Sequence, residues 1–195
     1  MQYPVSLQWP ITAPYNEQRP LNATEKSHIH GAIDIGCPIG TDIWAPEKGQ
    51  VYYQFLIRKG SGYQNLYWED GNLYAFRNYF YDTFGGLIIV EGEETGLTHV
   101  FAHIYVNQLF NKPWALRRNY DFKEVEKDDI LAFNFLSKEH KVSVENGEKI
   151  GESGNAGFST GAHIHYEIHR GRSWEKHEER VDPEKLHAEL RLRRV

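Results

Sequence analysis

The stretch HIHYEIH, residues 163–169, alternates polar and apolar side chains at every step. A period of two belongs to an extended chain, whose side chains point in turn to opposite faces of a sheet. His163, His165, Glu167 and His169 then share one face, while Ile164, Tyr166 and Ile168 share the other. The apolar face must lie on a core, which leaves the second face to chemistry. Imidazoles at i and i+2 stand close enough to share one small object, and imidazole is the commonest protein ligand for a metal.

The rest of the chain reads as the same class of structure. Turn residues punctuate short β-branched or alternating runs, which is an all-β rather than a βαβ pattern. GTDIWAPEKGQVYYQFLI holds a strand, a Pro-x-x-Gly turn at 46–49 and a second strand from about Gln50. Residues 87–91 pair with 97–104 across a Gly-containing turn, and alternation predicts Leu97, His99, Phe101 and His103 on one face. Two stretches read as insertions, about 58–86 and 107–145. The first is loaded with Tyr, Trp and Phe and is expected to form a satellite core, with a substrate lid as the alternative. The second mixes charged and apolar residues and carries no catalytic signature. The tail VDPEKLHAELRLRRV predicts a helix over 183–194, with Asp182 as N-cap, Pro183 in the first helical position and Leu186 and Leu190 facing the body. No repeat or linker divides the chain, so it is expected to be one domain over 1–195 with a core at about 9–183.

Composition excludes several classes. At 195 residues the chain can bury one sizeable core, and no segment has the apolar length of a transmembrane helix. The opening MQYPVSLQWP shows no basic start followed by an apolar run, so no signal peptide is visible. A net charge of −5 without large like-charged blocks argues against a nucleic-acid binder. Cys37 is the single cysteine, which rules out an internal disulfide and weakens a closed cysteine-rich zinc site; it reads as a small buried residue. GESGNAGFSTG lacks the lysine of a phosphate loop and runs into a strand. HEERV lacks the second histidine of a His-Glu-x-x-His metalloprotease helix.

A second histidine-rich segment, SHIHGAIDIG, separates His30 from Asp34 by three residues, and Gly31 is expected to let the chain bend close to a bound object. One histidine and one carboxylate, joined by a histidine of the 163–165 pair, make the three-ligand set of a catalytic zinc with one open position. HGAIDIG, FAHI and GEKIGESGNAGFSTGAHIHYEIH, taken together and in that order, resemble the signatures of the lysostaphin/LytM-type zinc endopeptidases that cleave peptidoglycan peptides. WPITAPYN, APEKGQV and RVDPEKL match flanking segments of that family.

The resemblance implies a mainly β single domain of antiparallel sheets, of the duplicated hybrid motif type, with two insertions and a C-terminal helix. It implies that His30, Asp34 and His165 bind one Zn²⁺ and that His103 and His163 are catalytic histidines beside it. The implied activity is hydrolysis of peptide bonds in peptidoglycan cross-links or stem peptides, with the bacterial cell wall as the place of action. Zinc lowers the pKa of water from about 15.7 to about 7 and polarises a carbonyl, while histidines move protons to and from the reacting groups. Phe101, Ala162 and Tyr166 stand where the family usually has tyrosine, proline and phenylalanine. Of the remaining histidines, His28 is the nearest rival ligand, His99 is expected to line the cleft, and His169 and Glu167 are expected to support the pair. His140, His177 and His187 read as surface or core residues.

Overall fold

The computed structural model describes residues 1–19, 28–67, 73–104, 130–134, 141–172 and 179–187, with the backbone alone at 19, 28, 55–67, 73–83 and 130–134. In chain order the strands are β1 (Ile11–Ala13), β2 (Gln18–Arg19), β3 (His28–Ile29), β4 (Ile33–Gly36), β5 (Asp42–Trp44), β6 (Gly49–Tyr67) and β7 (Leu73–Gly92). They continue with β8 (Leu97–Ile104), β9 (Ile130–Asn134), β10 (Val142–Val144), β11 (Lys149–Glu152), β12 (His163–Arg170) and β13 (Arg180–Val181), followed by the short helix α1 (Pro183–Leu186). The main sheet runs β1-β4-β12-β8-β7-β6-β10, with β13 added beside β12 and β9 beside β6. β5 pairs with β11, and β2 with β3, in two small sheets. Every pairing among the described residues is antiparallel. The structure is therefore mainly β, as the turns and the alternation of side chains predict, and antiparallel, as the resemblance implies.

β12 lies inside the sheet, between β4 and β8, because both its faces can be buried. Ile164, Tyr166 and Ile168 join Ile33 and Ile35 of β4, Phe101 of β8 and Ile43 and Ile150 of the small sheet in one core. Each of these is essentially inaccessible to solvent, and burying an aliphatic or aromatic side chain of this size contributes roughly 1.5–3 kcal/mol. The ring of Phe101 stacks on Tyr166 with centroids 4.8 Å apart, because the two are direct partners across β8 and β12.

The first expected insertion takes a definite form. β6 and β7 run on through it as one hairpin, paired down to Tyr67 opposite Leu73; Phe84 packs against the core with its ring 5.8 Å from that of His165, and the aromatic side chains at 63–81 lie outside the described set. Much of the second, 105–129 and 135–140, lies outside them as well, as do His140, His177 and Leu190.

Of the helix expected over 183–194, the described residues hold one turn, α1. Asp182 caps it, accepting from the Glu184 N–H, but His187 leaves helical geometry with φ −102° and ψ 81°; residues 188–195 lie outside the described set. Pro183, Glu184 and His187 are buried, while Leu186 remains 37% exposed. The reason is His187, whose ring packs against Tyr3 and Tyr166 and bonds the Tyr166 hydroxyl at 3.2 Å. Among the described residues no helix is long and apolar enough to cross a membrane.

Candidate metal centre

Strand register assembles the site. His165 lies directly opposite Asp34, and His163 opposite Gly36, across β12 and β4, so Asp34 and His165 present side chains on the same face. His30 precedes β4 and is held by its backbone: its N–H donates to the Glu17 carbonyl and its own carbonyl accepts from the Asn16 N–H. His30 Nε2, Asp34 Oδ1 and His165 Nδ1 form a triangle with sides of 3.2, 3.0 and 3.1 Å. All three residues are buried.

The donor set fits a metal ion. His30 Nδ1 donates to the Pro14 carbonyl at 3.4 Å, which leaves the Nε2 lone pair facing the triangle. The far nitrogen of His165, Nε2, lies 3.0 Å from Glu167 Oε1, so Nδ1 turns to Asp34. Two ring nitrogens and a carboxylate oxygen thus converge on one point that calls for positive charge. Zinc bonds of about 2.0–2.1 Å at tetrahedral angles need ligand separations of about 3.3 Å, close to those observed. Burial alone would lower the His165 pKa, but the hydrogen bonds and charges of Asp34 and Glu167 raise it; a cation at Nδ1 answers the same demand.

His103 and His163 stand beside the triangle, their rings 4.7 Å apart, and the His103 ring is 5.7 Å from that of His165. His163 Nε2 approaches Asp34 Oδ1 at 3.7 Å, while its Nδ1 donates to the Gly161 carbonyl at 2.8 Å with Ser159 Oγ at 3.2 Å. His103 Nδ1 donates to the Ala156 carbonyl at 2.8 Å, and the Ala156 N–H returns a bond to the His103 carbonyl. In both rings Nδ1 is thereby committed. Burial, then the neighbouring His165 and His163, push the His103 pKa down to about 3.

The expected common face of Leu97, His99, Phe101 and His103 breaks at His103. Phe101 opposes Tyr166, and Ala102 opposes His165, so alternation would send His103 into the core. Instead His103, one residue before the end of β8, adopts φ +65°, an uncommon conformation for a residue with a side chain, and turns its ring over to the histidine face. The reciprocal bonds to Ala156 offset a backbone cost of about 1 kcal/mol.

His99 does not line the cleft. It is fully buried on the Tyr166 side of the sheet, where Nε2 meets Glu47 Oε1 at 2.9 Å and Nδ1 meets the Tyr166 hydroxyl at 2.8 Å. Glu47 also accepts from the Thr95 hydroxyl at 2.6 Å. Burial would raise the Glu47 pKa, yet the bonds from His99 and Thr95 bring it down to about 2, and burial lowers that of His99.

His28 contributes only its backbone to the described structure. Cys37 is buried, and burial pushes its thiol pKa up, in keeping with an inert residue.

Glu167 and His169 do belong to the surroundings of the site. Glu167 is 2% exposed and accepts from His169 at 2.6 Å and from Arg180 at 2.8 and 3.2 Å, as well as facing His165. Burial would raise its pKa, but the bonds from His165 and His169, with the Arg180 charge, hold it well below the usual carboxylate range. Arg180 and the Ala156 and Gly161 carbonyls escape a reading of the chain. Arg180 sat only in the flanking RVDPEKL, with nothing local to show that it faces β12.

No protein-family model and no curated protein matches this sequence. Solved structures do resemble it. The antimicrobial peptidase lysostaphin from Staphylococcus simulans superposes with a TM-score of 0.56 at 14% identity, over 100% of this chain and 57% of that one. The catalytic domain of the same peptidase gives a TM-score of 0.51 at 16% identity, over 93% of this chain and 97% of that one. A zinc-containing peptidase from Vibrio cholerae gives 0.51 at 18% identity, over 92% of this chain and 37% of that one. The chain thus spans less than two thirds of the longer peptidases and nearly all of the isolated catalytic domain. With its strand order and its histidine face already described, these likenesses establish that the chain is built on the lysostaphin/LytM-type fold.

Proposed function

We propose that this protein is a zinc-dependent endopeptidase that hydrolyses peptide bonds in peptidoglycan cross-links or stem peptides, acting at the bacterial cell wall. The observation that carries the reading is the buried triangle of His30 Nε2, Asp34 Oδ1 and His165 Nδ1, with sides of 3.0–3.2 Å, flanked by two more histidines whose Nδ1 atoms are already bonded. His30, Asp34 and His165 would hold the metal. When bound, Zn²⁺ supplies a lowered water pKa and a Lewis-acid charge for the scissile carbonyl.

The remaining chemistry belongs to His103 and His163. With Nδ1–H tied to a backbone carbonyl in each ring, the free nitrogen is Nε2, which in the neutral ring is a proton acceptor. As water attacks the carbonyl carbon, one Nε2 takes its proton; as the C–N bond breaks, an imidazolium returns a proton to the leaving amine. One water is consumed across the broken C–N bond, and both histidines return to their starting protonation states. His163 also stands at the site's open side, with 16% of its side chain exposed against 8% for Asp34.

The test is mass spectrometry of fragments released from purified peptidoglycan sacculi by zinc-loaded protein, with Asp34→Ala as control. New peptide termini made by the wild type alone support the reading and identify the bond. Intact cross-links across several wall chemistries, from protein shown to hold zinc, overturn it in favour of a non-hydrolytic wall-binding or regulatory module. His103→Ala and His163→Ala should each keep zinc and lose hydrolysis.

A further inference from the structure

Four donor contacts converge on the Glu167 carboxylate. Oε1 faces His165 Nε2 at 3.0 Å and Arg180 Nη2 at 2.8 Å, while Oε2 faces His169 Nε2 at 2.6 Å and Arg180 Nε at 3.2 Å. A carboxylate has about four lone-pair sites, so its capacity is filled and its plane is set. Arg180 reaches it because β13 pairs with β12, placing Arg180 opposite His169. Along the way the guanidinium stem crosses Gly31: a Cβ there would lie 2.4 Å from Arg180 Cδ and Nη1. Gly31 needs no unusual backbone angle. What the glycine provides is therefore room for the arginine, rather than the close approach to a bound object expected from the sequence.

We infer that Arg180 is a positioning residue for the metal centre, clamping Glu167 so that its Oε1 fixes His165 Nε2–H and keeps Nδ1 turned toward Asp34 and His30. The inference rests on the proposed role of His165 as a metal ligand. Carboxylates bonded to the far nitrogen of a metal-binding histidine orient the ring and raise its basicity, and this carboxylate is oriented in turn. The planar fork of arginine suits the task, since two parallel N–H bonds set the carboxylate's plane where an ammonium group sets only a charge. Without the fork Glu167 loses two of its four donor contacts and its χ angles are released.

Arg180→Ala, Arg180→Lys and Gly31→Ala test the clamp with two readouts. In the metal-free protein, the His165 Nε2–H should give a slowly exchanging, downfield proton signal in ¹⁵N-edited spectra. It should be lost or shifted in Arg180→Ala and Gly31→Ala, and partly kept in Arg180→Lys. Zinc affinity, measured by competition with a chromophoric chelator, should fall about 10- to 100-fold in the first two and less in the lysine variant.

A folded Arg180→Ala protein with wild-type zinc affinity and an unchanged ring proton overturns the inference. Should Arg180→Ala fail to fold, Gly31→Ala, which keeps the guanidinium and displaces it, and Arg180→Lys decide the matter by the same two readouts. If the wild type itself holds no zinc, the proposed function fails, and the ring proton alone still decides for or against the clamp.

Discussion

Tyr166→Phe removes one oxygen atom and installs the residue that the lysostaphin/LytM signature usually carries, yet it should destabilise this protein strongly. The hydroxyl sits at zero exposure between His99 Nδ1 at 2.8 Å and His187 Nε2 at 3.2 Å. Proton bookkeeping orders the chain: Glu47 accepts from His99 Nε2–H, so neutral His99 must accept at Nδ1. Tyr166 therefore donates to His99 and accepts from His187. Phenylalanine leaves an acceptor and a donor unpaired in the interior, each costing about 1–3 kcal/mol. Stacking of the ring on Phe101 is retained, and the hydroxyl's own desolvation cost is recovered. The net loss should be about 2–4 kcal/mol, a large part of the 5–15 kcal/mol by which a typical domain is stable. Urea unfolding followed by tryptophan fluorescence should show a lower midpoint at an unchanged m-value. The double variant with His187→Phe should lose less than the sum of the single changes. A loss below about 0.5 kcal/mol for Tyr166→Phe would refute the buried chain as drawn.

Two further predictions follow from the same packing. Burial, aided by the nearby His99, lowers the His187 pKa to about 4, so the folded state keeps this ring neutral while the unfolded chain takes up a proton near pH 6.5. Its contribution is thus complete above about pH 6.5 and is lost as pH falls toward 4, by up to about 3 kcal/mol; urea midpoints measured across that window should fall less steeply in His187→Phe than in the wild type. Gly85 has φ +63°, and a Cβ there would lie 2.7 Å from the Ala156 carbonyl carbon. Gly85→Ala should displace the backbone that holds His103, lowering kcat on wall peptides at least tenfold while zinc content, read by atomic absorption, stays at the wild-type level.

The parts of the site that a reader of the chain could find are those written in local pattern. HIHYEIH declares its own strand and both its faces, and HGAID sets a histidine and a carboxylate four residues apart, so His30, Asp34, His163 and His165 could be singled out before any fold was known. The mainly β class follows from the same period of two.

What the chain alone did not disclose depends on contacts between distant segments. His103 reaches the site against its strand's alternation because Ala156, 53 residues away, bonds its ring. His99 falls into the core because Glu47 and Tyr166, 52 and 67 residues away, receive it there. Helix α1 stops where His187 finds a hydroxyl on β12. Side-chain alternation and i, i+4 spacing are properties of a few consecutive residues and survive in any fold. Which face a residue takes at a strand's end, and which carboxylate an arginine meets, is settled by strand register, and register exists only once the sheet has formed.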